Sequence, residues 1–387
     1  MDIDLRKKKV LLTGARSYLA LELARHFHEK GHDVLGADTS SLHVTRFSNA
    51  IRKFIVIPSP RFAKEAFLQK LLKIVEEEKI DLIIPVWEEV VYLSENLDRF
   101  PKSCEIFCSP FDVVHTLHNK WLFMKKLEAL DIKSPRSLLI RSDQELREIP
   151  FTTPYVVKAC YCRAADHIVK IIPPEVPHIK IEAKNPWIAQ EYVEGKRFCS
   201  YSICYQGKLL AHTAYPVQYT IDGNSCTAFE AIDHREIQEW VDNFITKIHY
   251  TGQIGFDFIQ TKESDLYAVD CNPRGTSGIH LFSVEDQIVR AFLNQTPTTI
   301  HSTAGSARQI AVGMLLYGWK EAMKEKKLSE YAKKLFTTRD VIYSSCDLKP
   351  FFFQPLILVS YLIKSLKEGL PLPDLFTYDL DWNEIPK

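Results

Sequence analysis

The sequence predicts an α/β domain built on a parallel sheet, followed by an α+β domain and a helix-rich tail. Three observations carry this. Over roughly the first 110 residues, short apolar runs alternate with helical periods, the pattern of parallel strands joined by crossover helices. From about residue 150, strand-like runs follow one another with only isolated helices between them. After residue 300, charged helical stretches dominate, with 320–334 rich in lysine. The expected division is 1–112, 113–300 and 301–387, and 387 residues are too many for one small core.

Residues 10–13 (VLLT) read as a strand ending at Gly14. Residues 18–30 place Leu19, Leu23 and Phe27 at helical spacing and close on Gly31. Residues 33–37 (DVLGA) and 81–86 (DLIIPV) read as buried strands, and 64–78 repeats the helical period with Phe67, Leu71 and Val75. Asn119 is a suitable N-cap for a helix carrying Phe123, Leu127 and Leu130 on one face. Pro135, Pro150 and Pro154 punctuate the chain before a strand at 155–159. Residues 187–214 read as antiparallel strands around Gln206-Gly207-Lys208, and 254–259 with 266–271 as a hairpin across a polar turn.

Composition narrows the function. Lys+Arg and Asp+Glu both number 49, so the net charge is zero, which argues against a nucleic-acid partner. The opening MDIDLRKKK leads into only a short apolar run, so no secretory leader is expected and the chain reads as cytoplasmic. Nine cysteines without a Cys-x-x-Cys pair read as reduced, mostly buried thiols. The longest apolar stretch, 351–363 (FFFQPLILVSYLI), contains Pro355 and is too short to span a bilayer. It reads as a buried helix in preference to a membrane-surface contact, and no transmembrane segment is expected.

The opening invites a nicotinamide-dinucleotide reading, with Asp38 at the end of the second strand where a ribose-binding acid belongs. The glycine pattern argues against it. After Gly14 the two later glycine positions hold Arg16 and Leu19, whose side chains obstruct a pyrophosphate. An NAD(P)-dependent oxidoreductase is the weakest alternative.

The strongest chemical signal is 266–275, LYAVDCNPRG. Strand alternation places Asp270 and Asn272 on one face. Asp257, between Phe256 and Phe258 on the preceding strand, faces the same way if the two strands pair. Two carboxylates and an amide oxygen are hard ligands suited to Mg²⁺, and two acids so close call for a cation. Arg274, just beyond, offers a planar fork to a phosphoryl group.

The segment 252–279 (GQIGFDFIQTKESDLYAVDCNPRGTSGI) resembles the metal-binding hairpin of the ATP-grasp superfamily, in particular its carbamoyl-phosphate-synthase-like branch. Three further stretches fit in order: His118-Asn119-Lys120 with Ser134-Pro135-Arg136, the strand 155–159 bearing Lys158, and the run Gln190-Glu191-Tyr192-Val193-Glu194-Gly195. The resemblance covers roughly residues 1–300, with a Rossmann-like pre-ATP-grasp domain before the grasp. It implies that ATP and Mg²⁺ bind between two lobes. Lys120 and Lys158 would hold the phosphates. Gln190, Glu191, Tyr192, Val193 and Glu194 would line the adenine. Asp257, Asp270 and Asn272 would hold the metal, and Arg274 would steady the transferred phosphoryl group.

The implied activity is an ATP-dependent carboxylate–amine ligase working through an acyl phosphate on a small-molecule acid and amine, with a homodimer as a candidate assembly. Three departures matter. The stretch 160–167 (CYCRAADH) has no glycine where the family closes a glycine-rich loop, leaving Arg163 as a substitute. Arg197 stands where an acid often contacts the ribose, and Asp270 stands where Glu is usual. These leave open a catalytically degenerate ATP-binding regulatory protein.

Overall fold

The computed structural model describes residues 7–161, 168–175, 179–181, 185–221, 225–324 and 326–382. The first part alternates β1 (Lys9–Thr13), α1 (Tyr18–Glu29), β2 (Asp33–Asp38), β3 (Lys53–Val56), α2 (Lys64–Glu78), β4 (Leu82–Ile84), α3 (Glu89–Ser94) and β5 (Glu105–Ile106). Its strands are all parallel, in the order β3-β2-β1-β4-β5. The central strands carry uninterrupted apolar middles, VLL in β1 and LII in β4, because helices cover both faces. β3 is a short, half-exposed edge strand, which explains why its four residues carry no clear alternation in the sequence.

α4 (Phe111–His118) and α5 (Lys120–Ala129) meet at Asn119, whose extended backbone ends one helix and caps the next. Its side chain accepts from Trp121 N and Leu122 N at 3.0 Å, as the sequence predicts for an N-cap. A small antiparallel lobe follows: β6 (Ser137–Ile140), α6 (Asp143–Arg147), β7 (Tyr155–Ala159), β8 (Ile168–Ile171) and β9 (Trp187–Glu191), ordered β6-β9-β7-β8. It has its own core, including Ile140, Phe151, Val157 and Trp187.

The large sheet is built from β10 (Lys196–Tyr205), β11 (Lys208–Pro216), β14 (Gly252–Gln260), β15 (Leu266–Asn272) and the short β16 (Ile300–His301), in the order β15-β14-β10-β11-β16. Gln206 and Gly207, both at positive φ, make the two-residue turn between β10 and β11. β12 (Gln218–Ile221), β13 (Ser225–Glu230) and β17 (Ala307–Gln309) form a three-stranded sheet, and α7 (Arg235–Lys247) packs its apolar face on the large sheet through Val241 and Phe244. The apolar core is continuous between the parallel sheet and the large sheet. Val10, Leu12 and Phe27 pack in one cluster with Tyr201, Phe282 and Phe292.

The α/β, α+β and helical parts follow the order the sequence predicts. One expectation fails. The apolar stretch 351–363 lies in a helix, Lys349–Glu368, that is buried on one side only. Pro350, Gln354, Ile357 and Tyr361 face the protein, whereas Phe352, Leu356, Val359, Ile363 and Leu366 are exposed. The run is apolar on two opposite sides, and composition alone does not show that the chain supplies only one covering surface. No helix among the described residues is long and apolar enough to cross a membrane. Eight cysteines are described and all are free; five are buried, Cys199 and Cys226 are half-buried and Cys346 is exposed, while Cys162 lies outside the described residues.

Candidate active site

The hairpin β14–β15 sets the geometry. Its register places Asp257 opposite Asp270 and Gly255 opposite Asn272, with an irregularity just after Asp257. The two aspartates therefore face each other across adjacent strands, with Asn272 two residues further along the same face. Burial of Asp257, reinforced by the neighbouring Asp270 charge, pushes its carboxyl up. Asp270 shifts the other way. Burial alone would raise it, but the Lys120 and Lys158 ammonium groups outweigh that and hold it down.

Lys120, in the first turn of α5, reaches the hairpin and bonds both Asp270 oxygens at 3.0 Å. Lys158, in the middle of β7, donates to Val269 O at 2.7 Å. Both lysines are buried. A buried ammonium needs a charged or multiply polar partner, so these two cations converge on the acidic strand end by electrostatic necessity. Cys199 on β10, opposite Asp257, donates from Sγ to Asp257 Oδ1 at 3.1 Å. Arg274 Nη2 donates to Asn272 Oδ1 at 2.9 Å, and its Nε lies 4.0 Å from Glu88 Oε1. Gly275 packs its backbone against the parallel sheet, donating to Val86 O at 3.1 Å; a Cβ there would lie 2.9 Å from that oxygen.

Among the described residues no three His, Cys, Asp or Glu side chains cluster as a metal site. The donor set is two carboxylates plus an amide. Such a set fits a hard cation that takes its remaining oxygens from a ligand and water. Asp257 and Asp270, opposed across the hairpin with Asn272 on the same face, are the residues that could hold such a cation.

The 190–194 run is placed less simply. Gln190 points inward, its Nε2 donating to Met124 Sδ at 3.0 Å and Ser137 Oγ at 3.1 Å. β9 is flanked by β6 and β7, and the alternation turns the Gln190 side chain onto α5. The backbone N–H groups of Glu191 and Tyr192 donate to Arg136 O and Pro154 O. Val193 and Glu194 lie beyond these pairings. Arg163, and most of the glycine-free stretch, lie outside the described residues.

A cluster with no signal in the sequence flanks Arg274 and Tyr161. Trp382 packs its ring against Phe111, His115, His118 and Tyr161. Its backbone N–H donates to Glu88 Oε2 at 3.0 Å. The segment leading to it is strapped along the parallel sheet: Ser59 donates to Asp379 O, Arg61 to Tyr378 O and Tyr92 to Asp381 O.

The place of a dinucleotide is taken by the chain itself. Arg16 donates from Nε to Asp38 Oδ1 at 2.7 Å and from Nη1 to Asp379 Oδ1 at 2.9 Å. Glu89, bonded to Thr13, Val86 N and Trp87 N, sits over Gly14, where a Cβ would lie 2.8 Å from its Oε1. The would-be ribose acid is thus spent on Arg16, which counts against the oxidoreductase alternative.

Residues 117–278 match the family model of an ATP-grasp domain. No curated protein matches the chain significantly. Among solved structures, N5-carboxyaminoimidazole synthetase from Staphylococcus aureus, complexed with ADP, is similar with a TM-score of 0.62 and 16% identity, over 77% of this chain and 81% of that one. An L-amino acid ligase from Bacillus licheniformis is similar at 0.59 and 14%, over 75% and 76%. The biotin carboxylase domain of Hydrogenobacter thermophilus 2-oxoglutarate carboxylase, in complex with MgADP and bicarbonate, is similar at 0.57 and 13%, over 76% and 72%. Residues 117–278 thus match the ATP-grasp domain family, and the chain shares its fold with these solved structures.

Proposed function

We propose that the chain is an ATP-dependent carboxylate–amine ligase. The observation that carries this is the convergence of Asp257, Asp270, Asn272, Lys120, Lys158 and Arg274 on one end of the β14–β15 hairpin, inside an ATP-grasp domain. The ADP and MgADP complexes of the similar structures support ATP with Mg²⁺ as the nucleotide. The carbamoyl-phosphate-synthase-like branch rests on the Asp270–Arg274 run.

In this reading Asp257, Asp270 and Asn272 hold Mg²⁺, which when bound offsets charge on the nucleotide phosphates. Lys120 and Lys158 supply fixed positive charge beside those phosphates, and Arg274 orients the phosphoryl group. A substrate carboxylate oxygen attacks the γ-phosphorus and ADP leaves, giving an acyl phosphate. The amine nitrogen then attacks the acyl carbon and phosphate leaves, with a proton lost from nitrogen. The small lobe over the hairpin keeps water from the acyl phosphate. Val193 and Glu194 remain the main-chain candidates for the adenine.

A second reading, an ATP-binding regulatory protein without turnover, is favoured by the glycine-free stretch 160–167. Magnesium-dependent ADP release across a panel of acids and amines separates the two. Release that needs both an acid and an amine supports the ligase. ATP binding with no release under any pair supports the regulator and removes the ligase.

A further inference from the structure

We propose that the helix Lys349–Glu368 is a dimerisation element that pairs antiparallel with the same helix of a second copy of this chain. Pro350, Gln354, Ile357 and Tyr361 form the seam that seats this helix on its own protein. Two residues on from each, a turn of about 200°, runs a second apolar seam, Phe352, Leu356, Val359 and Ile363, which Leu366 extends; the five are from 49% to 86% exposed. Their spacing of four, three, four and three residues is that of a and d positions in a helix pair. An apolar stripe of that width and period fits another helix.

Size and charge point to a second copy as the occupant. The seam with the adjoining Phe351 and Leu362 offers on the order of 600 Å² of apolar surface, near the ~800 Å² per partner of a standard interface. An antiparallel two-fold centred on Val359 sets Phe352 against Leu366 of the second copy. It also sets the exposed Lys349 near Glu368 of the second copy, joining opposite charges at both ends. Opposed helix dipoles favour the same direction. A lipid surface fits less well. An interfacial helix turns a charged face to water, whereas the face opposite this seam is packed on the protein, with Phe353 beside it stacked on Phe47 at 3.9 Å.

Sedimentation equilibrium of the full chain at micromolar concentration should show a dimer, and Leu356→Glu with Ile363→Glu should weaken it at least 100-fold with the thermal melt retained. Cross-linking tests the axis. In a Cys346→Ser background, Val359→Cys should form a disulfide-linked dimer on mild oxidation. Leu366→Cys should form one only when mixed with Phe352→Cys. A wild type that stays monomeric, a dimer indifferent to the double substitution, or Leu366→Cys cross-linking to itself would each overturn the proposal. So would co-sedimentation of the wild type with phosphatidylglycerol vesicles that the double substitution abolishes.

Discussion

Lys120 and Asp270 lie 150 residues apart in sequence, and the lysine ammonium bonds both oxygens of the aspartate. The lysine is 7% exposed and the aspartate 22%. Removing the cation leaves Asp257 and Asp270 opposed with less compensation. Lys120→Met should therefore lower stability by about 2–3 kcal/mol. Millimolar Mg²⁺ should restore more stability to the variant than to the wild type, because the ion supplies the missing charge. Thermal melts with and without the metal measure both effects.

Arg16 is the only described basic group bonded to Asp38, a carboxylate with no solvent exposure. Arg16→Ala should cost on the order of 3 kcal/mol by stranding that carboxylate. Denaturant unfolding should show the loss. Addition of NAD(H) or NADP(H) should leave the wild-type melt unmoved, because the would-be ribose acid is already engaged.

Glu22 lies between two imidazoles, 3.1 Å from His280 Nδ1 and 3.5 Å from His26 Nε2. Burial pushes its carboxyl up, but hydrogen bonding and charge from His26 and His280 outweigh burial and hold it below the usual range. A carboxyl lowered in the folded state stabilises fully above its unfolded value, about 4.3, and loses that stability as pH falls further. The wild type should lose on the order of 2 kcal/mol more than Glu22→Gln between pH 6 and pH 3. Chemical denaturation across that range tests it, and parallel losses would refute the assignment.

Trp382 touches Tyr161, the second residue of the glycine-free stretch that follows the Lys158 strand. Trp382→Ala should cost about 1–3 kcal/mol in lost packing. It should also raise the concentration of Mg-ATP needed for half-maximal stabilisation several-fold, as Tyr161 and His115 lose their support. A nucleotide titration followed by thermal shift measures this.

Much of the fold was legible because its signals are local. The strands at 10–13, 33–37 and 81–86, the Asn119 cap and the 206–208 turn each depend on residues within one element. The hairpin acids were legible for the same reason, since alternation on two neighbouring strands fixes which way Asp257, Asp270 and Asn272 face. Partnership over long separations was not legible. Glu88 meets Trp382 across 294 residues, and no spacing rule reaches that far. Nor does the sequence show that the Gln190 side chain meets Met124, because whether a strand residue faces a helix depends on what packs beneath it. The stretch 351–363 reads as buried in the sequence because hydrophobicity records what a surface wants and not whether the chain supplies its cover.

Phe27 and Phe107 share a core with Phe282 and Phe292, whereas the small lobe has a core of its own on one face and meets the large-sheet core only through a few residues, such as Leu139 and Ile188, on the other. Mechanical freedom is unequally shared as a result. Opening and closing motions should concentrate where the chain enters and leaves the small lobe, at 130–136 and 192–195, with everything else moving as a fixed anvil. A calorimetric scan should resolve the first hundred residues and the large sheet as one cooperative unit, and a fragment cut between them should be insoluble on both sides of the cut.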